Sequence, residues 1–314
     1  MRPIRLIPDN TKIDFIGRRL IAFAFSALLV LGSVLVIATQ GLNFGIDFRG
    51  GILMEVRTEG PADIASMRNT LSGLGVGQAT LQEFGGPRDV MIRIPHQEGG
   101  EAAQMAAIEQ VRGALGPGVE YRRTEFVGPQ VGDELIRAGI LAVVLAIGGI
   151  LAYVSFRFEW QFGVAAVAAL THDVIATIGL FALTQMEFSL STVAAVLTVA
   201  GYSINDTVVV FDRVREDLRR HKSTDLPTVL NTAINQTLAR TLITSGTTLL
   251  AVLALVVFGG EVIRGFSIAL IWGIGIGTYS SICVAVPLLL YLNVRRGRSG
   301  GAGRKDQAAA AGSA

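Results

Sequence analysis

Hydrophobic positions run continuously over six stretches of the chain and alternate with polar ones in a single intervening segment. The continuous runs cover residues 20–40, 139–156, 162–184, 191–210, 241–258 and 265–292. About 20 apolar residues carry a helix across a hydrocarbon core. A membrane β-barrel would instead need alternating segments of about ten residues, so the pattern predicts six transmembrane helices. The first run is preceded by 19 residues and has no convincing small-residue cleavage site after Thr39. It is read as a retained anchor rather than a removed signal peptide.

The segment 41–138 has a different rhythm. It predicts a strand at Ile52–Thr58, a helix at Ala62–Leu74, strands at Ala79–Phe84 and Val90–Pro95, a helix at Glu101–Leu115 and a strand at Val119–Phe126. Breaks such as Gly85-Gly86-Pro87 separate them. The order βαββαβ is the ferredoxin-like split motif, and about 75 residues suffice for one small core.

Composition sharpens this. The chain is 51% hydrophobic and only 17% charged, against about 25% charged in an ordinary soluble domain. A soluble enzyme, a disordered chain and a disulfide scaffold are excluded, the last by a single cysteine. That cysteine, Cys283, falls in the sixth run and reads as a buried small residue. The net charge of +2 hides an asymmetry. Seventeen Lys and Arg lie in segment 1–19, at Arg157, in the loop 211–240 and in the tail 293–314, whereas the two short loops opposite hold only Arg264. The positive-inside rule makes both termini cytoplasmic. Residues 41–138, with 8 Arg against 13 Asp and Glu between Gly41 and Leu135, then form an acidic outer domain. The expected fold is therefore an α-helical membrane protein of six transmembrane helices with one extracytoplasmic α+β, ferredoxin-like domain between helices one and two. The Gly-, Ser- and Ala-rich basic tail has too little apolar surface to fold.

Ionisable residues inside a membrane are expensive, and they mark pathways or relays. Asp173, preceded by His172, falls near the middle of the third run, and Asp206 lies towards the cytoplasmic end of the fourth. Thr198, Tyr202, Asn205, Asp206 and Val209 follow helical spacing and predict a mostly polar stripe aimed at other helices. Thr241, Thr244, Ser245 and Thr248 form a matching stripe in the fifth run, with Arg240 at its mouth. Interhelical packing alone explains many such Ser and Thr residues, and Arg240 could snorkel. An ionisable Asp206 is harder to explain as glue, because Asn or Ser would serve without the cost of ionisation. Gly265, Ala269, Gly273, Gly277 and Ser281 repeat every fourth position of the sixth run as a close-packing face. His96, His172 and His221 are scattered, so no metal site is expected. No phosphate-binding glycine motif is present, and the dispersed basic loops suit a lipid surface rather than nucleic acid.

Several segments then point to a family: GLNFGIDFRGG (Gly41–Gly51), VGPQVGDEL (Val127–Leu135), FRFEWQF (Phe156–Phe162), HDV (His172–Val174), AGYSINDTVVVFDRVRE (Ala200–Glu216) and NQTLARTLITSGTTL (Asn235–Leu249). With six spans and a large loop after the first, the chain resembles the SecF family over residues 15–295. That family supplies the smaller subunit of the SecD–SecF protein-export pair and belongs to the resistance-nodulation-division superfamily. The resemblance implies a multi-pass protein of the bacterial cytoplasmic (inner) membrane. It also implies SecD as partner, association with the SecY–SecE–SecG channel and indirectly with SecA, and contact with translocating polypeptide. It makes Asp206 the proton-carrying carboxylate and Arg240 its cationic neighbour, and gives no comparably firm role to Asp173; Asn205, Asp173, His172, Tyr202 and Thr244 are kept as candidates for relay support by their own placement. It makes Gly45, Asp47, Phe48, Gly50 and Gly51 a structural motif. The expected coupling ion is H⁺, with Na⁺ as the other candidate, and no cofactor is expected. A free N-terminus before the first run favours SecD as a separate chain.

Three rivals follow from the same residues. An aspartyl protease would need Asp173 and Asp206 about 3 Å apart, yet their expected depths differ by about 7 Å. A small-molecule exporter of the same superfamily would need a drug-sized pocket and twelve spans. A passive assembly scaffold would use the charges as glue.

Overall fold

The computed structural model describes residues 11–259, 263–292 and 294. Arg2 and Arg5 and, apart from Val294, the tail fall outside that range. Among the described residues, six helices are long and apolar enough to cross a membrane. They are α1 (Arg19–Gln40), α5 (Pro129–Arg157), α6 (Trp160–Thr184), α7 (Leu190–Arg220), α8 (Leu226–Phe258) and α9 (Arg264–Ser280). α9 continues as a π-helical turn at Ser281–Ala285 and a last short helix, α10 (Val286–Leu288). α6, α7 and α9 form the buried middle, while α1 and α5 lie outside with mostly exposed apolar side chains.

The middle is tight because small residues allow it. A β-carbon at Gly273 would strike the side chain of Val199, and one at Gly277 would press on Ser203, so α9 meets α7 along the predicted small-residue face. Gly179 of α6 abuts Ser33 of α1 in the same manner. Packing at such contacts, rather than exclusion from water, drives helices together in lipid.

Between α1 and α5 sits a four-stranded antiparallel sheet. Its strands are β1 (Gly51–Thr58), β2 (Thr80–Glu83), β3 (Asp89–Ile94) and β4 (Val119–Val127), in the order β2-β3-β1-β4. Helices α3 (Ile64–Ser72) and α4 (Gly100–Leu115) supply the two crossovers, as the ferredoxin-like reading requires. Registered pairs Ile52–Ile94, Met54–Ile92 and Val56–Val90 put alternate side chains into one core with Leu71, Ile108 and Val111. No cysteine lies in this domain, so this apolar core carries its stability.

Three boundaries differ from the sequence reading. Residues 211–240, expected as a cytoplasmic loop, are mostly helix: α7 runs on to Arg220 and α8 starts at Leu226. Val210, Phe211, Val214 and Leu218 continue one apolar stripe that packs on Val229, Leu230 and Ala233. Glu216 pairs with Arg213 and Arg220, each at 2.6 Å, on the polar side. A helix that packs on one side needs only such a stripe, and a search for continuous apolar runs ends it too early. The second span likewise begins at Pro129 rather than residue 139, so the sheet domain ends at about Val127 instead of 138. The sixth run, read as one helix over 265–292, changes to π geometry at Ser281.

One element was not foreseen. The segment before β1 forms a short helix, α2 (Ile46–Arg49), and Gly50 and Gly51 turn the chain from it into the sheet with φ of 68° and 120°. A β-carbon at Gly51 would also meet the Ile94 carbonyl oxygen, so the position excludes side chains twice over. Gly51→Ala should therefore lower the thermal unfolding midpoint of the detergent-solubilised protein through a loss of about 1–3 kcal/mol. Gly60→Ala, where nothing lies within 4 Å, should leave the midpoint unchanged in the same melt.

Candidate functional site

α7 carries polar side chains on two faces, each satisfied by a different neighbour. Towards α8, Asp206 is buried, and its Oδ2 accepts a hydrogen bond from Ser245 Oγ at 3.3 Å. Ser245 is also bonded to Thr278 of α9 at 2.7 Å. The Tyr202 hydroxyl, one turn before Asp206, donates to Ser245 at 3.5 Å and to Thr248 at 3.4 Å. Thr244 and the charge of Arg240 lie close enough to act on the Asp206 carboxylate. The Arg240 side chain is nevertheless exposed, and among the described residues it makes no ion pair with Asp206. Thr244 uses its own hydroxyl on the Arg240 carbonyl at 3.0 Å.

Towards α6, the arrangement is denser. Asp173 is fully buried; its Oδ2 accepts from Ser203 of α7 at 2.6 Å and from Ser280 of α9 at 2.7 Å. Its Oδ1 faces Nδ1 of His172 at 2.9 Å. One turn further along α7, the Thr207 and Ser281 hydroxyls meet at 2.8 Å, tying α7 to the start of the π turn.

The structure thus gathers Asp206, Tyr202, Thr244 and Arg240 at one interface, and His172 with Asp173 at another. Asp173 and Asp206 share no hydrogen-bond partner, which is not the geometry of a proton-sharing protease dyad. Asn205 and Thr198 depart from the expected stripe: both are exposed. Adjacent helical residues point about 100° apart, so burial of Asp206 turns Asn205 away. Ser203, Thr278 and Ser280 were not singled out from the sequence, although Ser203 stands one turn before Asp206.

The glycine-rich motif forms a seam at the other end of the bundle. Asp47 Oδ2 accepts from the Leu190 backbone N–H at 2.9 Å, placing a carboxylate at the positive N-terminus of α7. Phe44 and Phe188 bridge through backbone bonds, and Phe48 packs with Phe44, Phe181 and Phe188. Gly45 is pressed against Glu187, whose side chain would collide with a β-carbon there. Arg93 of β3 pairs with the same Glu187. Burial pushes the Glu187 carboxyl above the usual carboxylate range, Arg93 opposes this, and the charge of Asp47 adds to it. Among the described residues, no group of three or more metal-ligating side chains converges.

The two interfaces should respond differently to truncation. Asp173→Ala leaves Ser203, Ser280 and His172 facing an empty acceptor site, a loss of about 2–4 kcal/mol. Asp206→Ala removes one long bond from a Ser245 that keeps Thr278, a loss of under about 1 kcal/mol. Thermal melts of the two variants in detergent should show that order.

Comparison with known proteins places this geometry in a family. Residues 107–295 match the model described as protein export membrane protein SecD/SecF, C-terminal, and residues 35–62 match the SecD/SecF GG motif, which encloses Gly50-Gly51. Proteins named protein translocase subunit SecF are similar over nearly the whole chain. That of Rickettsia rickettsii is 46% identical over 91% of this chain and 94% of its own. That of Magnetococcus marinus is 52% identical over 90% and 93%. The crystal structure of SecDF from Thermus thermophilus superposes with a TM-score of 0.81 at 36% identity, covering 92% of this chain. A second SecDF structure, in a super-membrane-facing form, gives 0.69 at 36% identity over 98% of this chain. The chain spans about 40% of the length of these SecDF chains. With the GG motif at the seam and the SecD/SecF model covering the helices that carry Asp173, Asp206 and Ser245, this chain belongs to the SecD/SecF family of protein-export membrane proteins.

Proposed function

We propose that this chain is a proton-coupled subunit of the Sec export machinery, acting with a SecD-type partner late in the movement of polypeptide across a bacterial cytoplasmic membrane. It is a transport component rather than an enzyme. The carrying observation is a buried carboxylate, Asp206, held by one serine hydroxyl between α7 and α8 with the charge of Arg240 near it. The chain's 40% share of the SecDF chains supports a SecD-type remainder as the partner. The channel subunits SecY, SecE and SecG, and SecA behind them, follow as the wider assembly. The basic surface of the α7–α8 hairpin favours cytoplasmic termini and an outer domain on the far side.

In this reading the proton is the driving ion. One proton moved down 100 mV supplies about 2.3 kcal/mol. Taking it up on Asp206 removes a buried negative charge, so the α7–α8 packing that best accommodates the residue changes. The Ser245 hydroxyl can donate to the carboxylate or turn to Thr278, giving two arrangements of the same groups. Asp47 and Phe188 tie the far end of α7 to the outer domain, so a tilt of α7 reaches that domain directly.

Asp206→Asn should abolish export stimulation by the proton-motive force while leaving assembly with the SecD-type partner intact, read by co-purification and by a vesicle export assay. Near-normal stimulation in that variant would remove Asp206 from the relay. Arg240→Met should be similarly defective at normal protein level; a lowered level alone would make Arg240 a structural anchor. Replacing Na⁺ in the assay medium should leave the wild type unaffected.

A further inference from the structure

The proton-coupling reading uses only the face of α7 that looks towards α8. On the face towards α6, His172, Asp173, Ser203 and Ser280 form a closed cluster from three helices, each member more than nine-tenths buried. All the donors around Asp173 are accounted for: Ser203 at 2.6 Å, Ser280 at 2.7 Å and His172 Nδ1 at 2.9 Å. Against a carboxylate that only accepts, Nδ1 would carry the hydrogen, and the lone pair of a neutral imidazole would fall on Nε2.

That atom is the anomaly. Nε2 of His172 is buried and has no hydrogen-bond partner among the described residues. A bare acceptor in an apolar bundle is costly unless something donates to it. The Tyr279 ring lies beside the imidazole, with centroids 6.2 Å apart, but its hydroxyl is turned to α1, where it donates to the Ala22 carbonyl and meets Ser26. An aromatic ring in that position suits a cationic neighbour better than a neutral one.

We propose that His172 and Asp173 form a second proton-binding site, separate from Asp206, in which His172 Nε2 takes the proton and Asp173 holds the resulting charge. The proton adds to the Nε2 lone pair, the Nδ1–H bond to Asp173 persists, and the pair passes from one net negative charge to none. Uptake thus removes a buried net charge from the middle of the bundle. The site also touches a break in helix geometry: Ser280, which donates to Asp173, is the last residue before the π-helical turn at Ser281–Ala285. Other titratable groups near it are few. Tyr279 comes from α9 and Cys283 from the π turn; on α7, Asp206 is turned to Ser245 of α8. α1 has no charged residue beyond Arg19.

The test is nitrogen NMR of the imidazole in the full chain, reconstituted with its SecD-type partner. His96 and His221 are replaced by Gln, leaving His172 as this chain's only ¹⁵N-histidine, and the partner is unlabelled. At about pH 8.5 the spectrum should show a neutral ring protonated on Nδ1, and at about pH 5.5 an imidazolium. Asp173→Asn should lose the imidazolium signal at the lower pH. Asp206→Asn should keep it, which separates this site from the Asp206 relay whatever that variant does to export. Ser280→Ala, which leaves the pair intact, should also keep it. A ring that stays neutral at both pH values, a neutral ring protonated on Nε2, or an imidazolium that survives Asp173→Asn would each overturn the proposal. Should Asp173→Asn fail to assemble, the tautomer and the pH response of the otherwise unaltered chain decide the matter alone.

Discussion

Everything polar inside this bundle depends on how closely α7 approaches α9. Gly273 and Gly277 leave no room for side chains against Val199 and Ser203, so the two backbones come together as small-residue faces allow. That approach lets Ser203 and Ser280 reach one oxygen of Asp173 from two different helices. It also brings Thr278 to Ser245, and Ser245 to Asp206. A bulkier α9 would push these hydroxyls out of range and leave two carboxylates bare in hydrocarbon. Steric smallness in one helix is thus the condition for charge in two others.

The same contact explains what could and could not be read in advance. Six apolar runs, an alternating βαββαβ segment and a four-residue repeat of small residues each have a pattern, and they emerge as six long apolar helices, a four-stranded sheet with two crossovers and a close contact of α9 on α7. Asp173, His172 and Asp206 were legible because ionisable residues stand out in an apolar run. Their partners were not. Serine and threonine in membrane helices mostly satisfy themselves on the carbonyl four residues back, as Thr177, Thr198 and Thr248 do here. Whether Ser203 or Ser280 instead reaches across depends on helix rotation and separation, which no local pattern encodes. Asn205 illustrates the converse: it is polar and next to the critical carboxylate, yet one residue's rotation places it on the exposed face.

The glycine motif shows a second way in which sequence and structure part. Gly50 and Gly51 announce a special backbone, but not that the preceding four residues form a helix that docks on the α6–α7 connection. The lock depends on contacts far apart in sequence: Asp47 with Leu190, Phe44 with Phe188, Arg93 with Glu187. Through them the outer sheet and the N-terminus of α7 become one mechanical unit, with the pair Arg93–Glu187 fastening β3 directly.

α7 therefore has an unusual position. Its N-terminus is tied to the segment that leads into the sheet domain, its middle is squeezed against α9, and its two polar faces meet different helices. A charge change on the Asp206 face is felt against α8, and one on the Asp173 face is felt against α6 and the π turn. Under the proposed reading both would alter the packing of α7, and packed interfaces respond by switching between discrete arrangements rather than by bending continuously. Under the proposed reading, a site on α7 and one on α6 that both bear on α7 could oppose or reinforce each other without sharing a proton, because the coupling would lie in the position of α7. In that reading α7 is the element whose displacement would sum the electrostatic state of the bundle and carry it to the sheet domain, to which its N-terminus is tied by Asp47 and Phe188.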